Sequence, residues 1–152
     1  MIPASADRVA NQTAPSVNRR IRHETERRLA HFAARPHEIE ARLGALDREW
    51  DIERTLQTNA ATLAFVGVAL GATADRRWLL LPAAVTAFLF QHATQGWCPP
   101  LPVLRRLGFR TTREIDRERY ALKGLRGDFG ALPDGTSNVR ERARAALSAA
   151  ER

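Results

Sequence analysis

Charge is distributed along this chain in blocks. Asp, Glu and Arg are scattered densely from Arg19 to Arg54, vanish from Leu56 to Ala74, return as Asp75-Arg76-Arg77, and vanish again from Trp78 to Leu104. The two uncharged runs, LQTNAATLAFVGVALGATA (56–74) and WLLLPAAVTAFLFQHATQGW (78–97), have 19 and 20 residues. A helix rises about 1.5 Å per residue, so each has the length that crosses a hydrocarbon core of about 30 Å. A three-residue turn with Asp75 as N-cap of the second helix predicts an antiparallel hairpin. The pattern reads as all-α: a membrane-spanning antiparallel helical hairpin with amphipathic cytoplasmic helices on both sides. The first run is diluted by Gln57, Thr58, Asn59, Thr62 and Thr73, so a soluble helical interaction domain is the competing reading.

The flanks show helical periodicity. Residues 1–15, small and polar, are expected to be disordered, and 16–55 form a charged cytoplasmic arm. Within that arm a helix is expected from about residue 17 to 34, and a second opens at Pro36. In the second, Ile39, Leu43, Leu46 and Trp50 fall at +4, +3 and +4 spacing, an apolar stripe. It has three readings: packing on the chain's own C-terminal helices, a self-pairing seam, or an interfacial helix on lipid. The helix is expected to run straight into the first span. The hairpin unit extends to residue 109, where Pro99, Pro100 and Pro102 end the second helix and VLRRLGF makes an amphipathic turn. From 110 to 130, Thr111-x-x-Glu114 reads as a capping box opening a helix that stops at Gly127, with Ile115, Leu122 and Leu125 on its apolar face. A loop and short terminal helix fill 131–152.

Charge then sets orientation. Arg42, Arg48 and Arg54 precede the first run, and Arg105, Arg106, Arg110, Arg113 and Arg117 follow the second, against Arg76 and Arg77 in the turn. Arginine enrichment on the outer flanks places both termini in the cytoplasm of a multi-pass protein. Arg76, Arg77, Trp78, Trp97, Arg105 and Arg106 are the expected interface anchors, the tryptophans one bilayer thickness apart. The net charge of +7, from 24 Lys+Arg and 17 Asp+Glu, fits a skirt facing anionic lipid. No aromatics interleave with the arginines to stack bases, so nucleic-acid binding is not expected. The N-terminus lacks an apolar core typical of a secretory signal. One cysteine rules out an intrachain disulfide framework, and no Cys/His ladder suits zinc, so no metal or other cofactor is expected.

Candidate chemistry is sparse, and no catalytic constellation is legible. Cys98 is a candidate reactive thiol, read as a small boundary residue, a redox- or persulfide-carrying thiol, or an intermolecular disulfide partner. A haem ligand pair with His92 is disfavoured, because a six-residue offset puts the two on different faces of a regular helix. His92 is expected in a polar interhelical layer with Gln57, Asn59 and Gln91, with proton or anion handling as the alternative. Ala60, Ala64, Gly67 and Gly71 form a stripe of small residues on the first helix, and Ala83 and Ala87 a matching one on the second. Such stripes serve close helix approach, within the hairpin or in a homodimer; one stripe for each use is the preferred arrangement.

Residues 53–109, with Gly96, Cys98, Pro99, Leu107 and Gly108 at matching positions, resemble the YgaP-like two-helix membrane domain of inner-membrane rhodaneses. The resemblance implies a bacterial inner-membrane hairpin that dimerises through its membrane helices. It does not supply rhodanese chemistry, which needs an α/β domain that nothing here suggests. The expected function is a dimerising membrane anchor or scaffold, with the lipid bilayer, a second copy and a cytoplasmic protein as partners. A thiol-based sulfur-handling or redox-sensing role for Cys98 is the alternative.

Overall fold

A computed structural model describes residues 7–130, which are helical throughout apart from turns, with no strand among them. The order is α1 (Arg8–Asn11), α2 (Pro15–Ala33), a 3-10 turn (Pro36–Glu38), α3 (Ile39–Arg48), α4 (Ile52–Thr73), a 3-10 turn (Arg76–Leu79), α5 (Leu80–Gln95), α6 (Leu101–Leu107) and α7 (Thr112–Arg126). The chain divides into two compact units. Among the described residues, one comprises 7–23 and 50–115, the other 24–49 and 116–130.

The first unit is built on the α4–α5 hairpin. Asp51 caps α4 by accepting from the Arg54 amide at 2.7 Å, and the Ile52 amide donates to the Arg110 carbonyl at 2.9 Å. The expected continuous helix from residue 36 into the first run is therefore broken at residues 49–51. An N-cap aspartate whose second oxygen accepts from Thr112 Oγ1 at 2.5 Å favours a fresh start over continuation. Asp75 caps the return by accepting from the Arg77 amide at 2.8 Å. Gly67 and Gly71 sit where the helices meet: a Cβ at Gly67 would lie 2.5 Å from Pro82 Cδ, and one at Gly71 2.6 Å from Leu79 Cδ2. The α4 stripe thus serves the intrachain hairpin, while Ala83 and Ala87, offered as its match, are exposed. The face of α5 turned inward instead carries Leu81, Pro82, Val85, Leu89 and His92, half-buried to buried at +3 and +4 steps.

Gly96 ends α5 in the left-handed region at φ 78, and its missing Cβ is where α1 lies, 2.6 Å from the Arg8 backbone. Residues 7–14, expected to be disordered, are thus folded: Val9, 3 % exposed, joins Ile52, Leu56, Cys98, Leu101 and Leu104 in one apolar core. The stretch looks polar by composition, yet this single buried valine and two side-chain caps hold it, Thr13 Oγ1 to the Val9 carbonyl and Asn18 Nδ2 to the Ala10 carbonyl.

In the second unit, α3 and the later part of α7 are joined by ion pairs: Arg42 to Glu118 at 2.8 Å, Asp47 to Arg119 at 3.1 Å, and Glu40 to Arg126. Glu118, fully buried, also receives Arg28 of α2 at 3.1 Å. Ile39, Leu43 and Leu46 are buried within the chain, so the stripe is not free for a self-pairing seam or for lipid; Trp50, its expected fourth member, is 45 % exposed. The capping box is present: the Glu114 amide donates to Thr111 Oγ1 at 3.2 Å, and Glu114 Oε2 accepts from the Thr111 amide at 2.9 Å. Gly127 follows α7 at φ 89. On its expected apolar face Ile115 and Leu122 are buried, but Leu125 is 47 % exposed. The expected terminal loop and helix at 131–152 lie outside the described residues.

Candidate functional site

Three chemically distinctive side chains meet in the first unit where α4 starts and α5 ends. His92 Nε2 lies 2.9 Å from Glu53 Oε2. Glu53 Oε1 accepts from Arg8 Nη2 at 3.1 Å. The Cys98 thiol lies against the same imidazole, and both line one groove. His92 and Cys98 are 3 % and 4 % exposed. With Nε2–H donating to the carboxylate, Nδ1 is left as the basic nitrogen. That atom is buried with no hydrogen-bond partner.

Local chain geometry explains how two residues judged to face apart come together. The offset argument assumed a regular helix through residue 98. Instead α5 stops at Gln95, Gly96 reverses the backbone, and Cys98 folds back toward the side His92 occupies. Glu53 escaped notice because it stands outside the uncharged run. Its signal was periodicity: Glu53, Ala60 and Gly67 recur at +7, so the acid lies on the face of α4 that packs on α5.

The His92 hydrogen bond is the largest influence on Glu53; with the Arg8 charge it outweighs burial and holds the carboxyl below its ordinary range. The groove that ends on His92 and Cys98 is otherwise walled by Leu56, Ala60, Leu63, Val85, Phe88 and Leu89, with Asn59 the remaining polar side chain in its lining. The expected polar layer is not assembled: Gln57 and Asn59 are exposed, Gln91 is half-buried, and His92 turns to Glu53 instead. A charged partner with Arg8 behind it outcompetes neutral amides for a buried imidazole.

The expected interface anchors divide. Arg76, Arg77 and Trp78 are exposed at the turn, whereas Trp97 packs on the core. Arg106 is exposed, with its carbonyl accepting from Arg20 Nη2 at 2.6 Å. Arg105 is no lipid anchor: it is 1 % exposed and grips Glu114 with both terminal nitrogens at 2.7 and 2.8 Å. It also donates to Thr13 Oγ1, Asn18 Oδ1 and the Phe109 carbonyl at 3.1, 2.9 and 3.0 Å. Burial pushes the Glu114 carboxyl up, but the Arg105 and Thr111 hydrogen bonds prevail and hold it below its ordinary range. A fork of five donors suits such a hub better than any headgroup contact.

Among the described residues one helix, ending at Thr73, is long and apolar enough to cross a membrane, and 17 % of its apolar stretch is buried. Helix α5 has 16 residues, because the expected second span opens with the 3-10 turn. No group of three or more metal-ligating side chains occurs among the described residues. No family model, curated protein or solved structure matches the chain.

Proposed function

We propose that the chain is a membrane anchor or scaffold of the YgaP-like two-helix type, with the uncharged runs 56–74 and 78–97 of the α4–α5 hairpin crossing the bacterial inner membrane and both flanks, Glu53 included, on the cytoplasmic side. The observation that carries this reading is the outer surface of the hairpin. Phe65, Val68, Leu80 and Phe90 are 74, 51, 74 and 71 % exposed, on two helices whose uncharged runs are interrupted only at the turn. A water-soluble hairpin leaves so continuous an apolar surface uncovered only at the expense of aggregation. Helix α5 with its preceding 3-10 turn, at roughly 1.5 and 2.0 Å per residue, spans about 30 Å. Helix α6 fits the interface: Leu101 and Leu104 enter the core, while Val103 and Leu107 are 58 and 71 % exposed. Since the α4 stripe is used within the hairpin, a second copy is assigned to the Ala83–Ala87 face of α5.

Carbonate washing of membranes tests the anchor: the chain stays in the pellet and is released by detergent, whereas release by carbonate refutes the reading. Topology is read with a membrane-impermeant maleimide in a Cys98→Ser background. Arg76→Cys labels from the periplasm and Arg117→Cys only in inverted vesicles; the reverse pattern overturns the cytoplasmic assignment. Oxidative cross-linking of Ala83→Cys in the same background yields a covalent dimer, and failure to cross-link removes the α5 face as the contact.

A further inference from the structure

We propose that Cys98, His92 and Glu53 form a nucleophilic thiol site at which a long-chain acyl thioester transfers its acyl group to Cys98. The inference rests on the membrane reading above, because the acyl chain enters from lipid.

The geometry has three parts. Glu53 fixes the imidazole by accepting from Nε2 at 2.9 Å, which leaves the Nδ1 lone pair as the acceptor for a thiol proton. The Nδ1 atom is buried with no well-formed hydrogen bond, and the Cys98 thiol is the side chain set against this imidazole besides Glu53. The Cys98 thiol lies beside that imidazole, and the two share the polar end of a groove walled by Leu, Ala, Val and Phe side chains. Apart from Pro99 and Pro100 just after α5, these walls belong to α4 and α5, the helices assigned to the bilayer, so the groove opens on acyl chains. Its apolar lining suits a hydrocarbon tail, and Asn59 is the one amide side chain along it. Serine- and cysteine-based acyl transfer uses this same order of nucleophile, base and orienting acid.

The step balances without an oxidant. His92 takes the thiol proton as Cys98 Sγ attacks the thioester carbonyl, and a new C–S bond forms. The donor C–S bond then breaks, and the departing thiolate receives the proton from His92. One acyl group moves between two sulfurs with no change in oxidation state.

The test uses the full chain in liposomes, incubated with the palmitoyl or the acetyl thioester of coenzyme A and read by intact mass and hydroxylamine sensitivity. The wild type gains one palmitoyl group, released by hydroxylamine, and Cys98→Ser gains none. His92→Gln slows the gain on the order of a hundredfold, the usual worth of a general base. Leu63→Trp, on the exposed wall of the groove, blocks palmitoylation while leaving helicity unchanged, and so serves if His92→Gln fails to fold. Equal rates with acetyl and palmitoyl donors, acylation surviving in Cys98→Ser, an undiminished rate in Leu63→Trp, or an inert wild type each overturn the proposal. Flotation of the same liposomes separates the two readings. A chain that does not float refutes the membrane assignment, and incubation in detergent micelles then reads the thiol alone.

Discussion

At the scale of single residues, the sequence shows chemistry less clearly than the contacts do. Arg105 reads as one of many arginines in a basic flank, yet it is the most enclosed charge of the first unit. Removing one partner of a buried ion pair leaves the other without compensation, at about 3–5 kcal/mol. Arg105→Met is therefore expected to lower thermal stability by that amount in detergent, followed by circular dichroism. Arg106→Met, exposed one position on, changes it little. Glu53 gives a second residue-scale outcome. Its folded pKa lies below the ordinary 4.5 because His92 and Arg8 favour the carboxylate. The ionised group thus stabilises the fold fully above about 4.5, and that contribution fades as pH falls through the lowered folded value. Glu53→Gln removes this part of the acid-side loss, so its melting temperature falls less between pH 5 and acid conditions than that of the wild type. Equal slopes refute the assignment. Glu114 is lowered in the same sense, so some acid sensitivity survives in the variant.

At the scale of elements, capping and turn signals translated well into structure, whereas helix faces did not. The Thr111–Glu114 box, the Asp75 cap and the stop at Gly127 depend on neighbours within four residues, which a sequence displays directly. Which stripe of α5 faces α4 depends on crossing geometry. There Pro82 and Leu81 occupy the space over Gly67, and Ala83 and Ala87 turn outward. The fold of residues 7–14 was equally hidden, because it hangs on Val9 reaching a core distant in sequence and on the vacancy over Gly96. Gly67 gives the sharpest element-scale test. A valine there drives its Cβ into Pro82 Cδ and pries the hairpin apart, with a cost of about 1–3 kcal/mol for overpacking. Gly124→Ala meets no heavy atom within 4 Å in the last turn of α7, so it gains up to about 0.5 kcal/mol of helix propensity. Matching signs for these two variants would contradict the packing described for both helices.

At the scale of the whole molecule, the decisive property is what surrounds the hairpin, and the sequence displays the two uncharged runs that raise the question. Charge is excluded from two helix-length runs, and the folded chain leaves the large side chains of those runs uncovered instead of burying them. Folding alone therefore does not account for their hydrophobicity, because a residue selected for an internal core ends up enclosed. One substitution discriminates the surroundings. Phe65, near the middle of the first run and 74 % exposed, touches water if the chain is soluble and acyl chains if it is membrane-embedded. An exposed Phe→Arg change in water is worth within about 0.5 kcal/mol. At the centre of a membrane helix an arginine costs about 2.5–3.5 kcal/mol of insertion. Phe65→Arg is thus expected to shift much of the chain from the membrane pellet to the soluble or degraded fraction. Leu125→Arg, 47 % exposed in α7 and outside both runs, leaves the distribution unchanged. Were Phe65→Arg as membrane-bound as the wild type, the hairpin would not be the anchor, and the groove beside Cys98 would open on water instead of lipid.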